Sequence, residues 1–188
     1  MYKSAFISSE YLFKIVCIHI FRFCKSWVNT HVSLLAGLIF AVHPVHTEAV
    51  AGVVGRAELL AAVFFLSCLL VHQRRRSTSW TWVSPVLAGL AMLAKEQGVT
   101  VLAVCASIDV LRCGSSGVGR TRRRLMRLFL SGLMLVSLRS LALDGVLPAF
   151  SRSDNPASHE DSLLTRTLTF LLLPALNFNL LLTPATLR

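Results

Sequence analysis

Residues 43–50 read HPVHTEAV and place two histidines, a threonine and a glutamate between two apolar runs, LLAGLIFAV and ELLAAVFFLSCLLV. Imidazole and carboxylate groups move protons, bind metals and hold charged headgroups. His43 precedes a proline, which disfavours helical geometry there, and Pro44 suits the first position of a helix. The segment reads as a helix start at a membrane surface. If the helix runs on from Pro44, Glu48, Gly52 and Gly55 share one stripe with Arg56 beside it. Such a groove takes either a phosphate-bearing lipid headgroup or a second helix, since small residues let helices approach closely. His43, His46 and Glu48 could also ligate a metal, but an HxxH interrupted by proline is a weak metal signal.

Two further polar stretches carry candidate groups. AKEQG at 94–98 is a tight turn between apolar runs. There Lys95 and Glu96 either pair in solvent or present Lys95 to an anionic ligand, and spacing alone favours the first reading. SRSDNPASHEDSLLTR at 151–166 has a turn at Asp154-Asn155-Pro156 and a helix start near Ser162. Its composition is that of an ordinary loop. Arg166, one turn into an apolar helix, is less comfortable there and is a candidate for a paired or ligand-facing charge. No Ser/His/Asp or Cys/His nucleophile set assembles. CGSSGVG at 113–119 lacks the Lys-Ser/Thr ending of a phosphate loop and reads as a flexible linker.

The elements that must position these groups are membrane helices. The chain of 188 residues is 54% hydrophobic, with a mean hydropathy of +0.65. Only 15% of it is charged, against about 25% in soluble domains. A helix needs roughly 20 mostly apolar residues to cross a bilayer, and several runs approach that length. The sequence predicts membrane elements at 28–42, 44–72, 80–94, 98–111, 125–147 and 163–187, with Pro174 and Pro184 bending or ending the last. Trp80 and Trp82 suit an interfacial anchor. Residues 1–26 are ambiguous, because Lys14 interrupts an otherwise apolar stretch at 9–23.

The net charge of +10 lies largely in QRRR at 73–76 and RTRRRLMR at 120–127. Both clusters flank apolar runs, as cytoplasmic loops do, and no aromatic-interleaved or finger-like pattern points to nucleic acid. With both clusters cytoplasmic, 80–94 and 98–111 form a hairpin whose Lys95–Glu96 turn lies on the other side. HPVHTEAV and the 151–166 loop then share that side. The five cysteines have no CxxC spacing and suggest neither a disulfide framework nor a zinc site.

FAVHPVHTEAVAGVVGRAELLAAVFFLSCLL, AMLAKEQGVTVLAVCASIDV and SDNPASHEDSLLTRTLTFLLLPALNFNLLLTP resemble consecutive blocks of one family. It is the transmembrane and tetratricopeptide-repeat-containing proteins, protein O-mannosyltransferases of the endoplasmic reticulum that act on cadherins. The resemblance covers residues 30–187. It implies an all-α, multi-span bundle forming part of a C-type glycosyltransferase fold in the endoplasmic reticulum membrane. Mannose would pass from dolichyl-phosphate mannose to Ser or Thr of a lumenal, cadherin-like acceptor protein. The partners implied are that donor, the acceptor and membrane lipid, without nucleic acid. No resident cofactor is implied, and a divalent metal is left open. The residues carried over are His43, His46, Glu48, Arg56, Lys95, Glu96 and Arg166, with Arg56, Lys95 and Arg166 facing the lipid phosphate.

Three parts are expected: a divergent segment at 1–27, a glycosyltransferase-like core at 28–147, and a lumenal loop with the start of the next helix at 148–188. The family's acidic first lumenal loop should precede the first span, but residues 1–27 hold one carboxylate, Glu10. The tetratricopeptide repeats should follow residue 188. The expectation is therefore an internal piece that does not catalyse transfer by itself. The alternative is a non-catalytic membrane scaffold that keeps the lipid groove. A lipid-phosphate transporter fits less well, because the charges cluster at span ends.

Overall fold

A computed structural model of the chain describes residues 2–52, 55–74, 82–143 and 159–183. These form α1 (Tyr2–Cys24), α2 (Thr30–Val42), a 3-10 turn at Pro44–His46, α3 (Thr47–Ala51), α4 (Gly55–Arg74) and α5 (Val83–Ala94). A second 3-10 turn at Glu96–Thr100 leads into α6 (Val101–Leu111), α7 (Cys113–Ser116), α8 (Val118–Ala142) and α9 (Leu163–Leu182). The described residues contain no strand. Three helices, α4, α8 and α9, are long and apolar enough to cross a membrane. A fourth span results if α2 and Pro44–Ala51, bent by 52°, cross as one. The protein is an all-α membrane bundle.

The helices pack in definite registers. Cys68 Sγ donates to Ser84 O at 3.3 Å and Glu58 pairs with Lys95, so α5 runs antiparallel to α4. Down α6 and up α8, Asp109 meets Arg124 at 3.6 Å, Leu102 lies against Gly132, and Glu96 meets Arg139 at 3.1 Å. That pair is also antiparallel. In α1, His19 Nδ1 donates to Ile15 O at 2.8 Å, leaving Nε2 to accept from Ser67 Oγ at 3.1 Å. Ser26 Oγ donates to Gln73 Oε1 at 2.5 Å, so α1 lies parallel to α4. Val16 of α1 joins Leu66, Leu69, Ala88, Val101 and Ile108 in the apolar core. Lys14 is met by Glu10 one turn back at 2.7 Å. The ambiguous first stretch is thus a packed helix of the bundle.

Several boundaries differ from the sequence expectation. The helix expected to run from Pro44 through Arg56 stops at Gly52, whose ψ is 141°, and a new one starts at Gly55. The stripe of Glu48, Gly52 and Gly55 therefore does not form. A Cβ on Gly55 would sit 2.4 Å from Ala49 O, so α3 folds down onto the start of α4 and only glycine fits between them. The expected spans at 80–94 and 98–111 appear as helices of 12 and 11 residues, each about 18 Å long or less. That is well short of the roughly 30 Å bilayer core. RTRRRLMR lies within α8 rather than in a loop, because arginine and leucine are good helix formers. Gly117, at φ +81°, turns the chain into that helix. The α9 helix continues through Pro174. Trp80, Pro184 and the turn at 154–156 lie outside the described residues.

Candidate functional site

The bundle has two polar ends. At one lie the end of α2, α3, the start of α4, the α5–α6 turn and the end of α8. At the other lie the end of α4, the end of α6, α7 and the arginine-rich start of α8.

At the first end, α4 places Glu58 in its first turn, and the α5–α6 connection places Lys95 and Glu96 beside it. The connection is tight: a Cβ on Gly98 would lie 2.3 Å from the Ala91 carbonyl carbon. Lys95 pairs with Glu58, and Arg139 Nη2 lies 3.1 Å from Glu96 Oε1. A cleft of about 290 Å³ opens between Met92, Lys95, Glu96, Gln97 and Arg139. The two carboxylates hold the two cations in place without using them up. An ammonium has three donors and a guanidinium five. An anionic oxygen entering the cleft meets donors that are already oriented.

The sequence-derived residues divide unevenly over this arrangement. Lys95 and Glu96 line the cleft, but each pairs with a distant residue rather than with its neighbour. Arg56 is half-buried and lies two residues before Glu58 on α4. Glu48 is exposed on α3, which packs against the same helix start through Ala49 and Gly55. His43 is occupied in holding the chain. Its Nδ1 accepts from Val45 N at 3.2 Å, so Nε2 carries the proton and donates to Leu181 O at 2.9 Å. His46 packs at a tilt against two aromatic rings, its centroid 4.2 Å from that of Phe40 and 5.5 Å from that of Phe13.

Arg166 is not brought to this group. The Leu181 end of α9 reaches His43, and Arg166 lies fifteen residues earlier, about 22 Å away along the helix. The last element, expected to enter from the His43 side at its N-terminus, meets His43 with its C-terminal end. Glu58 and Arg139 were missed in the sequence reading. The signal was there, since each is a charge within one turn of the end of a long apolar run. No group of three or more His, Cys, Asp or Glu residues among those described is placed to hold a metal ion.

Comparison with known proteins gives these features a family. Residues 144–188 match the family described as protein O-mannosyl-transferase TMTC, DUF1736. Protein O-mannosyl-transferase TMTC2 of Mus musculus is 46% identical over 187 residues, covering 88% of this chain and 22% of the relative. The Homo sapiens TMTC2 is 48% identical over 175 residues, covering 82% and 21% respectively. Protein O-mannosyl-transferase TMTC3 of Homo sapiens is 38% identical over 200 residues, covering 92% and 22%. The chain thus spans about a fifth of the length of these curated relatives. No solved structure matches it. The similarity to these relatives covers 82% to 92% of the chain, and the chain belongs to the TMTC family, whose curated members are named protein O-mannosyl-transferases.

Proposed function

We propose that this chain forms the donor-phosphate end of a C-type protein O-mannosyltransferase of the endoplasmic reticulum membrane. The donor would be dolichyl-phosphate mannose, and the acceptor a Ser or Thr hydroxyl of a lumenal, cadherin-like protein. The observation that supports this reading most directly is the cleft at Lys95 and Arg139, where two cations held by Glu58 and Glu96 keep donors to spare. As the sugar–phosphate bond breaks, negative charge grows on the leaving phosphate. Fixed donors aimed at that charge lower the barrier, because they need no reorganisation when it appears. Lys95 and Arg139 would bind those oxygens, and Glu58 and Glu96 would orient them. Arg56 and Glu48 flank the same end. His43 and His46 would act through the backbone and the aromatic contacts they make.

The test is saturable binding of radiolabelled dolichyl-phosphate mannose by the purified chain in detergent. Lys95→Gln and Arg139→Gln should each weaken it about tenfold, the effect of losing one hydrogen bond to a charged group. A chain that binds the donor no better than uncharged dolichol does not hold its phosphate, and the reading fails.

A further inference from the structure

A second cleft, of about 480 Å³, opens at the other end of the bundle between α6 and α8, lined by Val110, Val118, Arg122, Leu125, Met126 and Phe129. On α8 these positions fall at 118, 122, 125, 126 and 129, the spacing of one helical face. The walls are apolar, and Arg122 is the one charged group among the lining residues. No carboxylate occurs between Asp109 and Leu143, while Arg120, Arg122, Arg123, Arg124 and Arg127 stand together at the start of α8. Asp109 is buried against Arg124 and His72. Arg120 and Arg122 are exposed and make no ion pair with the described carboxylates. The cleft therefore combines an apolar slot with an uncompensated positive rim.

We propose that this cleft binds an anionic phospholipid, with one acyl chain along Val110, Leu125 and Phe129 and the headgroup phosphate on Arg122 and Arg120. A soluble acidic ligand would leave the apolar walls unused, and a neutral lipid would leave the arginines unmatched. Arginine suits the headgroup because its planar fork meets phosphate oxygens in pairs, and its stem can lie along the apolar wall while its head reaches water. By the positive-inside rule this end is cytoplasmic. Anionic lipids are enriched in that leaflet and lodge in basic pockets between membrane helices. The site lies at the opposite end from the Lys95 cleft and does not depend on what that cleft binds.

The test is native mass spectrometry of the whole chain in detergent, with dioleoylphosphatidylserine and dioleoylphosphatidylcholine at equal concentration. Phosphatidylserine should be retained at least fivefold better. Arg122→Gln should reduce its retention about fivefold, the usual contribution of one arginine near an anionic surface, and leave phosphatidylcholine unchanged. Arg122→Lys should restore part of it. Val110→Trp, which fills the slot from its exposed side, should displace the lipid. Arg74→Gln, a charge lost at the same end but outside the cleft, should change nothing. Equal retention of the two lipids overturns the proposal. So does a loss in Arg74→Gln matching that in Arg122→Gln, since the attraction is then diffuse. Competition by glycerophosphoserine as strong as by the intact lipid overturns it as well, because the apolar slot then plays no part.

Discussion

Asp109 Oδ2 lies 3.3 Å from His72 Nε2, and the aspartate side chain is only 1% exposed. Its other oxygen faces Arg124 at 3.6 Å, so one carboxylate joins α4, α6 and α8 at the arginine-rich end. A buried charge is tolerated when it is paired, and removing one partner is far more damaging than removing the whole group. Arg124→Gln should lower stability in detergent by about 3 kcal/mol. The double variant Asp109→Asn/Arg124→Gln should regain part of that loss. Thermal unfolding of the singles and the double measures the coupling, and strict additivity would show that the contact holds nothing together.

The same α4 and α8 carry Glu58 and Arg139 at the other end, where the pairs are more open. Lys95 and Glu58 are 39% and 50% exposed, so exchanging them should change stability by no more than about 1 kcal/mol. Lys95→Glu puts like charges together. Adding Glu58→Lys should restore the bundle but leave the cation on the wrong helix. Thermal unfolding should recover in the exchanged pair while donor binding does not. Recovery of both would mean that the position of the cation is unimportant.

Two glycines are fixed by space. Gly98→Ala would bring a methyl within 2.3 Å of the Ala91 backbone, and Gly55→Ala one within 2.4 Å of Ala49 O. The neighbouring atoms are backbone and cannot rotate away. Each variant should therefore lose about 1–3 kcal/mol, as overpacked sites do. A Cβ on Gly114 meets nothing within 4 Å. Gly114→Ala should be neutral or slightly stabilising, as an added helix former without contacts is. Fluorescence-detected size exclusion after a heat step ranks the three variants. A Gly98→Ala protein as stable as the parent refutes the tight α5–α6 turn.

The two polar ends must lie on opposite sides of a membrane if α4 and α8 cross it. A glycosylation tag on a spacer after Gln97 should be modified in microsomes, and one inserted after Gly114 should not. Equivalent modification at both places would refute the orientation taken from the basic clusters.

What the sequence determined by itself is the class of molecule and the location of its charge. Apolar runs long enough for a bilayer, with arginines grouped at one set of ends, follow from composition and spacing because the membrane acts as a solvent that sorts side chains one by one. The His43–Pro44 break was legible too, since proline restricts the residue before it. Pairing was not legible. Glu58 finds Lys95 across 37 residues and Arg139 finds Glu96 across 43. Which turn of one helix lies against which turn of another is set by the shapes of Ala88, Val101, Leu102 and Gly132 at the contacts. Helical periodicity gives each face without fixing the offset between faces. The end of the helix at Gly52 was likewise decided only when α3 packed onto the start of α4, where Ala49 lies against Gly55.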